Sequence, residues 1–433
     1  MSDIHATSFR YDCMCTELGV KPHPYILQTI EKEKEENVLT TKDTMFLSLA
    51  GNNKHWRDAR IGDEDCHVLF KTLANNLYVV ALDFRFNNIG DEGARHIGDL
   101  IAENVTVKDL NLIFNDIGED GAQSIAKGLQ SNESLLSLRM TGNKIGHKGG
   151  MHFAGALQVN STLAALDLGD TDQNIESMIA LCSVLYQNTS LKSLNLSRPL
   201  LFTVQEETTD HFANLLKVNA SLHELHLRKC DIRDYGMTRL AACLINNYTL
   251  THLNLSSNRI TRDGAKELAN VLGNNTSLKL VDLANNRLED KGAIYVAGAL
   301  RHNTKLHTLV ITNNNIKDSG LCAIANSIKQ NNGLTNIYIW GNHLETDACV
   351  AFAQLIDTGR IHKTNTDVKP YVVDDVIYLS EINGKPGRHY TWAPSYEDDL
   401  PEWQLKEIRE DSYDTDWLNN VFYASFLKHT MYQ

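Results

Sequence analysis

The stretch that decides the fold runs from Leu250 to Asn275 and reads LTHLNLSSNRITRDGAKELANVLGNN. Leu253 and Leu255 alternate with polar residues, the pattern of a short strand with one buried face. Asn258 follows at the turn, where a buried carboxamide can bond backbone groups that no sheet or helix reaches. Ile260 and Gly264 then lead into Ala265, Leu268, Ala269 and Leu272, whose helical spacing turns one face back toward the strand. Asn274 and Asn275 end the helix.

Working outward, the same grammar recurs along the chain. The turn position is held by Asn52, Asn87, Asn115, Asn143, Thr171, Pro199, Cys230, Asn258, Asn286, Asn314 and Asn342. The spacing is 35, then 28 four times, then 31, then 28 four times. A glycine column runs through Gly93, Gly121, Gly149, Gly236, Gly264, Gly292 and Gly320, and lets each helix start approach its neighbour closely. Acids near that point (Asp91, Glu119, Asp263, Asp290, Asp318) suit the positive end of a helix dipole. One strand and one helix per unit predict an α/β solenoid, a horseshoe with parallel strands on the concave face and helices on the convex face. No unit buries its apolar face alone, so stability comes from stacking.

Over residues 44–358 the pattern L-x-x-L-x-L-x-x-N resembles the ribonuclease-inhibitor-like class of leucine-rich repeats. Around this array of about eleven units the reading places an N-terminal lead-in and helical cap at 1–43, with a charged helix over Tyr25–Asn37. A C-terminal aromatic-rich cap and extension occupies 359–433. The extension holds twelve of the 32 aromatics, too many for a segment that cannot bury apolar surface. Asp367 to Trp392, with an extended segment at Val372–Leu379, is expected to fold back over the open sheet edge. The acidic and aromatic remainder from Tyr396, with short helices at Glu402–Arg409 and Trp417–Lys428, is expected to meet a partner. Two further irregularities stand out: the long unit from Ser197, which reads first as a decayed repeat that still stacks and otherwise as a kink or protruding contact loop at Pro199–Thr209, and the insertion NKHWRDAR around Trp56, which serves either contact or capping.

The net charge of −13 disfavours phosphate backbones and anionic membranes as partners. No leader-like segment opens the chain and no apolar run reaches membrane-spanning length. The eight scattered cysteines point to reduced thiols and an intracellular setting, cytoplasmic or nuclear. Five sequons, at Asn160, Asn188, Asn219, Asn247 and Asn275, fall at a repeat junction and are expected to stay unglycosylated. No phosphate-binding loop, zinc-protease helix or nucleophile elbow is present. Cys13-x-Cys15 lacks matching ligands and reads as unstructured terminus. Neither enzyme chemistry nor a cofactor, small-molecule substrate, nucleic acid or membrane is expected.

What remains is the concave surface, read in two columns flanking the last strand leucines. Large residues gather at its ends: Arg85, Phe86, Ile113 and Phe114 in one cluster, Tyr338 and Trp340 in another. With Arg139, His226 and Arg228 between them, these are the expected partner-binding residues, since aromatic and arginine clusters anchor protein interfaces. For Tyr338 and Trp340, covering by the chain's own tail is the favoured reading. The expected function is a non-enzymatic scaffold or adaptor for proteins of unspecified identity within a larger intracellular assembly, nucleolar and ciliary assemblies included. Two alternatives rest on resemblance. The repeat type is similar to that of Ran GTPase-activating proteins, which would give Arg85 or Arg139 an electrostatic role on a small GTPase. It is also similar to ribonuclease inhibitors, which would make the chain an inhibitor of another enzyme, although those proteins are far richer in cysteine.

Overall fold

The computed structural model describes residues 7–40, 44–56, 58–201, 207–275 and 277–382. Residues 202–206 of the expected loop, and everything expected beyond Ile382, lie outside the described residues. The chain divides into two compact units that meet between Val184 and Leu185.

In the first unit two helices precede the repeats. Helix α1 (Thr7–Leu18) buries Tyr11 and Cys15, so the Cys13-x-Cys15 stretch is helical rather than unstructured. Helix α2 (Pro24–Thr40) contains the segment read as Tyr25–Asn37 and packs on strand β1 (Met45–Ser48). Buried Glu33 accepts the Phe46 N–H at 2.9 Å, and the Tyr25 hydroxyl donates to the Ser48 carbonyl at 3.2 Å. Trp56 has a structural role here. Its ring stacks on Tyr25 at 5.2 Å, and its indole N–H donates to Gln28 Oε1 at 3.0 Å. Strands β2 (Val79–Asp83), β3 (Asp109–Asn111), β4 (Ser137–Arg139) and β5 (Ala165–Asp167) follow in parallel, like position beside like position. Helices α3 (Asp63–Leu73), α4 (Asp91–Glu103), α5 (Glu119–Ser131), α6 (Gly146–Leu157) and α7 (Ile175–Leu185) alternate with them.

The second unit repeats the plan. Strands β6 (Ser193–Asn195), β7 (Glu224–His226), β8 (His252–Asn254), β9 (Leu280–Asp282), β10 (Thr308–Val310) and β11 (Asn336–Tyr338) are parallel neighbours in chain order. They alternate with α8 (Glu207–Val218), α9 (Asp234–Leu244), α10 (Arg262–Asn274), α11 (Glu289–Leu300), α12 (Asp318–Gln330) and α13 (Thr346–Asp357). Leu253 and Leu255 are fully buried against the face that α10 presents through Ala265, Leu268, Val271 and Leu272.

Three side-chain ladders tie rung to rung. The first is the turn asparagine. Asn258 Nδ2 donates to the carbonyls of Leu227 (2.8 Å) and Leu255 (2.9 Å), while Oδ1 accepts from Cys230 (2.9 Å) and Ile232 (3.1 Å). At two irregular turns the carboxamide's role is taken over in part: Thr171 Oγ1 donates to the Leu168 carbonyl and accepts from Gln173 Nε2, and the Cys230 thiol reaches the Leu196 carbonyl. The second ladder is the helix-end asparagine. Asn275 Nδ2 donates to the Leu244 and Asn247 carbonyls one rung back, and Oδ1 accepts from Ser277 and Leu278. The sequon asparagines Asn160, Asn219, Asn247 and Asn275 spend their buried carboxamides on the carbonyls of the preceding rung.

The third ladder adds to the reading of the acids, which do lie in the first turns of their helices. Asp234, in the first turn of α9, also reaches the next helix: its Oδ1 accepts the N–H groups of Thr261 (2.8 Å) and Gly264 (2.9 Å). Asp91, Asp290 and Asp318 act alike on Gly121, Gly320 and Ala348. Glu119 instead pairs with Lys148 at the surface, and Asp263 is exposed. Gly93, Gly121, Gly264 and Gly320 follow from this, because a Cβ there would meet the carboxylate one rung back, at 2.6 Å for Gly264 and Asp234 Oδ1; at Gly149 and Gly292 it would meet apolar side chains instead.

The last strand is closed by residues 365–367. The Ile337 N–H donates to the Asn365 carbonyl, and the Asp367 carboxylate accepts the N–H groups of Ile339 and Trp340, both at 2.9 Å. An antiparallel hairpin, β12 (Val368–Val373) with β13 (Val376–Glu381), then packs on α13. Burial pushes the Asp367 carboxyl up to about 6, against the pull of the N–H donors. The folded value lies above the unfolded one. Its contribution to stability is therefore complete below the ordinary carboxylate range and lost as pH rises through about 6. The wild-type chain should gain about 1.4 kcal/mol over Asp367→Asn between pH 7.5 and pH 5. Chemical denaturation of both chains at the two pH values measures it; a constant difference would contradict it.

Candidate protein-binding face

Alternation along each strand sends the leucines to the helices and three residues to the opposite sheet face. The first of these columns escaped the sequence reading. It holds Asp109 and Ser137 in the first unit, and Ser193, Glu224, His252, Thr308 and Asn336 in the second. The residue just before each buried strand leucine was the available signal.

In the first unit this column explains Arg139. Its guanidinium lies 3.1 Å from Asp109, and its side chain is only 12% exposed. Burial raises the Asp109 carboxyl above its ordinary range, and the Arg139 charge pulls the other way. Arg85 is likewise engaged, 3.2 Å from Asp83. Ile113 is buried rather than presented. Both arginines are thus held in ion pairs within the chain.

Phe86 and Phe114 form the distinctive feature. Both precede the turn asparagine, at a position where the backbone is left-handed. After β5 to β11 that position is held by Asp170, Arg198, Lys229, Ser257, Asn285, Asn313 and Gly341, so the left-handed turn belongs to the repeat and only the aromatic side chains are peculiar to Phe86 and Phe114. Here it carries aromatics, at φ 61° and 52°. The two rings stack at 5.1 Å, and the Phe114 ring lies over Gly142, where a Cβ would be 2.2 Å from the ring. Phe86 is buried beneath the stack, while Phe114 stays 39% exposed. Bulky residues in this region cost roughly 1–2 kcal/mol each and tend to mark functional positions.

In the second unit, Glu224 sits between two imidazoles, 3.8 Å from both His226 Nε2 and His252 Nδ1. Ser193 Oγ donates to it at 2.9 Å. Burial pushes the Glu224 carboxyl up, but the two histidines and the serine outweigh it and hold it below the usual range. His226 is therefore buried in a polar cluster rather than presented as an anchor. Tyr338 is also buried, against Val310 and Ala284. Arg228 is exposed and Trp340 half-buried. Of the nine expected residues, Phe86, Ile113, His226 and Tyr338 are buried because each column packs against its own neighbours one rung away. No group of His, Cys, Asp or Glu among the described residues is placed to hold a metal ion. No described helix is long and apolar enough to cross a membrane.

Parallel single-strand rungs, one helix per rung and an asparagine ladder at every regular turn define a leucine-rich-repeat protein of α/β solenoid type. The family model for the leucine-rich repeat matches residues 75–98, 103–126, 131–154, 218–241, 246–269, 274–297 and 302–325. The gap at 155–217 holds the turns where Thr171 and Pro199 replace asparagine. The chain is 49% identical over 388 residues to leucine-rich repeat-containing protein 34 of Mus musculus, covering 89% of this chain and 94% of that one. It is 44% identical over 387 residues to the protein of that name from Homo sapiens, covering 89% and 83%. This chain belongs to the leucine-rich repeat-containing protein 34 family. Among solved structures, one chain from the crystal structure of the Rad7 and Elc1 complex in yeast matches with a TM-score of 0.40 and 15% identity, covering 78% of this chain and 88% of that one.

Proposed function

We propose that this chain is a non-enzymatic adaptor that holds a protein partner on the strand face of its first unit, at the Phe86–Phe114 step. The carrying observation is the stacked aromatic pair at a left-handed turn position that after β5 to β11 holds no aromatic residue, with the Phe114 ring left exposed. A pre-formed, rigid aromatic ledge lowers the ordering cost of association. Arg85, beside the ledge and neutralised by Asp83, supplies a directional polar contact at its rim. The setting proposed is an intracellular assembly, cytoplasmic, nuclear or ciliary. Five of the eight cysteines are buried as single free thiols, which suits a reducing compartment.

The test is paired affinity capture with the wild-type chain and with Phe114→Asn, the exposed ring of the pair. Asparagine accepts the left-handed backbone, so the variant should keep the fold. A protein held by the wild type and lost from the variant is the expected result. Identical captured sets would overturn the assignment of the binding step.

A further inference from the structure

Side chains of the hairpin β12–β13 alternate between two faces. One face carries Val368, Pro370 and Leu379. Val368 and Leu379 are buried, on the side that packs on α13, where the Cys349 thiol reaches the Leu379 backbone. The other face carries Lys369, Tyr371 and Val373 opposite Ser380, Tyr378 and Val376. The two tyrosine rings stack at 5.6 Å, together on that face. Tyr371, Val373 and Tyr378 are 46%, 48% and 41% exposed. The same face is charged at both ends. Lys369 is exposed at its base, while Asp374 and Asp375 are exposed at its tip, in a left-handed two-residue turn at φ 48° and 60°. No ion pair among the described residues engages these three side chains.

We propose that this open face binds a second copy of the chain, hairpin face to hairpin face, about a twofold axis that crosses the strands at Tyr371 and Tyr378. Stacked tyrosines with valines beside them supply rigid apolar area, the kind that interface cores use. The charge pattern selects the occupant. A twofold interface sets one surface against itself, so the two ends of the face must complement each other. With the axis at the tyrosines the two hairpins run antiparallel, and the base of one copy meets the tip of the other. Lys369 lies about 7 Å from the axis and Asp374 about 10 Å, at the usual rise per residue. The lysine side chain spans the difference. The dimer therefore sets Lys369 of each copy against Asp374 and Asp375 of the other. A partner of a single charge sign would match only one end of the face. The area is small, so the dimer is weak, with a dissociation constant on the order of 10 µM. The inference concerns the hairpin alone and does not rest on the partner site proposed at Phe86–Phe114.

The experiment uses the full chain. Sedimentation equilibrium from about 1 µM to about 200 µM spans that constant and should show a monomer–dimer equilibrium. Tyr371→Ser/Tyr378→Ser changes two exposed side chains and should weaken the dimer at least tenfold at an unchanged melting temperature. Lys369→Glu sets like charges together and should weaken it at least fivefold. Lys369→Glu/Asp374→Asn/Asp375→Asn removes that repulsion and keeps residues that suit the left-handed turn. It should dimerise at least threefold more tightly than Lys369→Glu alone. A chain that stays monomeric at the highest concentration would overturn the proposal. Slow acetylation of Tyr371 and Tyr378 in that monomer would assign the face to the chain's own residues 383–433. A dimer that ignores the tyrosine change, or a Lys369→Glu defect that the asparagines do not relieve, would place association on another surface and overturn the proposal as well.

Discussion

Asn258→Ala should lower the stability of the chain by about 4 kcal/mol, because buried polar groups left without a partner cost roughly 1–3 kcal/mol each. The substitution strips the Leu227 carbonyl and the N–H groups of Cys230 and Ile232 of the bonds that Asn258 makes to them. The Leu255 carbonyl keeps a second donor in Asn286, so it does not add to the loss. All these groups are deep between rungs, where water does not replace the carboxamide. Asn258→Asp retains the acceptor and removes the donor, and should fall between wild type and alanine. Thr171→Ala removes the bond to the Leu168 carbonyl and one of the three acceptors of Gln173 Nε2, which keeps the other two, so it should cost only about 1 kcal/mol. Denaturant unfolding of the three variants measures the order. A loss below 1 kcal/mol for Asn258→Ala would mean that the ladder does not carry the rung junctions.

The second large effect is expected from Arg139→Ala. Removing one member of a buried ion pair leaves the other charge uncompensated, at a cost of about 3–5 kcal/mol. Asp109 is 2% exposed and is already pushed up by burial with the guanidinium 3.1 Å away. Without that guanidinium its folded value rises further above the unfolded one. A raised carboxyl favours the folded state more as pH falls, because protonation removes the buried charge. The deficit of Arg139→Ala should therefore shrink from pH 7.5 to pH 5. Asp109→Ser/Arg139→Ala should recover most of the loss at pH 7.5. A deficit that is independent of pH, or no recovery in the double variant, would show that the pair is not what Arg139 contributes.

The parts of this fold that repeat could be read from the chain, and the parts that depend on what lies opposite could not. Asn258 and Gly264 stand in columns at a fixed period, so their places at the turn and the helix start follow from spacing alone. The partners of those columns do not. That Asp234 also binds the next helix requires knowing how far one rung sits from the next. The helix-end asparagines looked like sequons because the same N-x-S/T residues serve both chemistries, and only burial separates them. Arg139 and His226 read as surface residues because strand alternation tells which way a side chain points, not what it meets. Their acidic neighbours, Asp109 and Glu224, lie in the column left unread. Phe86 and Phe114 were visible as aromatics, but the left-handed backbone beneath them was not.

The central claim is that the Phe86–Phe114 step binds a protein partner. Isothermal titration of the captured partner against wild-type chain and Phe114→Asn tests it most directly. Affinity should fall at least tenfold, about 1.4 kcal/mol or more, with a melting temperature within about 3 °C of wild type. Equal affinities, or a loss that tracks unfolding of the variant, would contradict it.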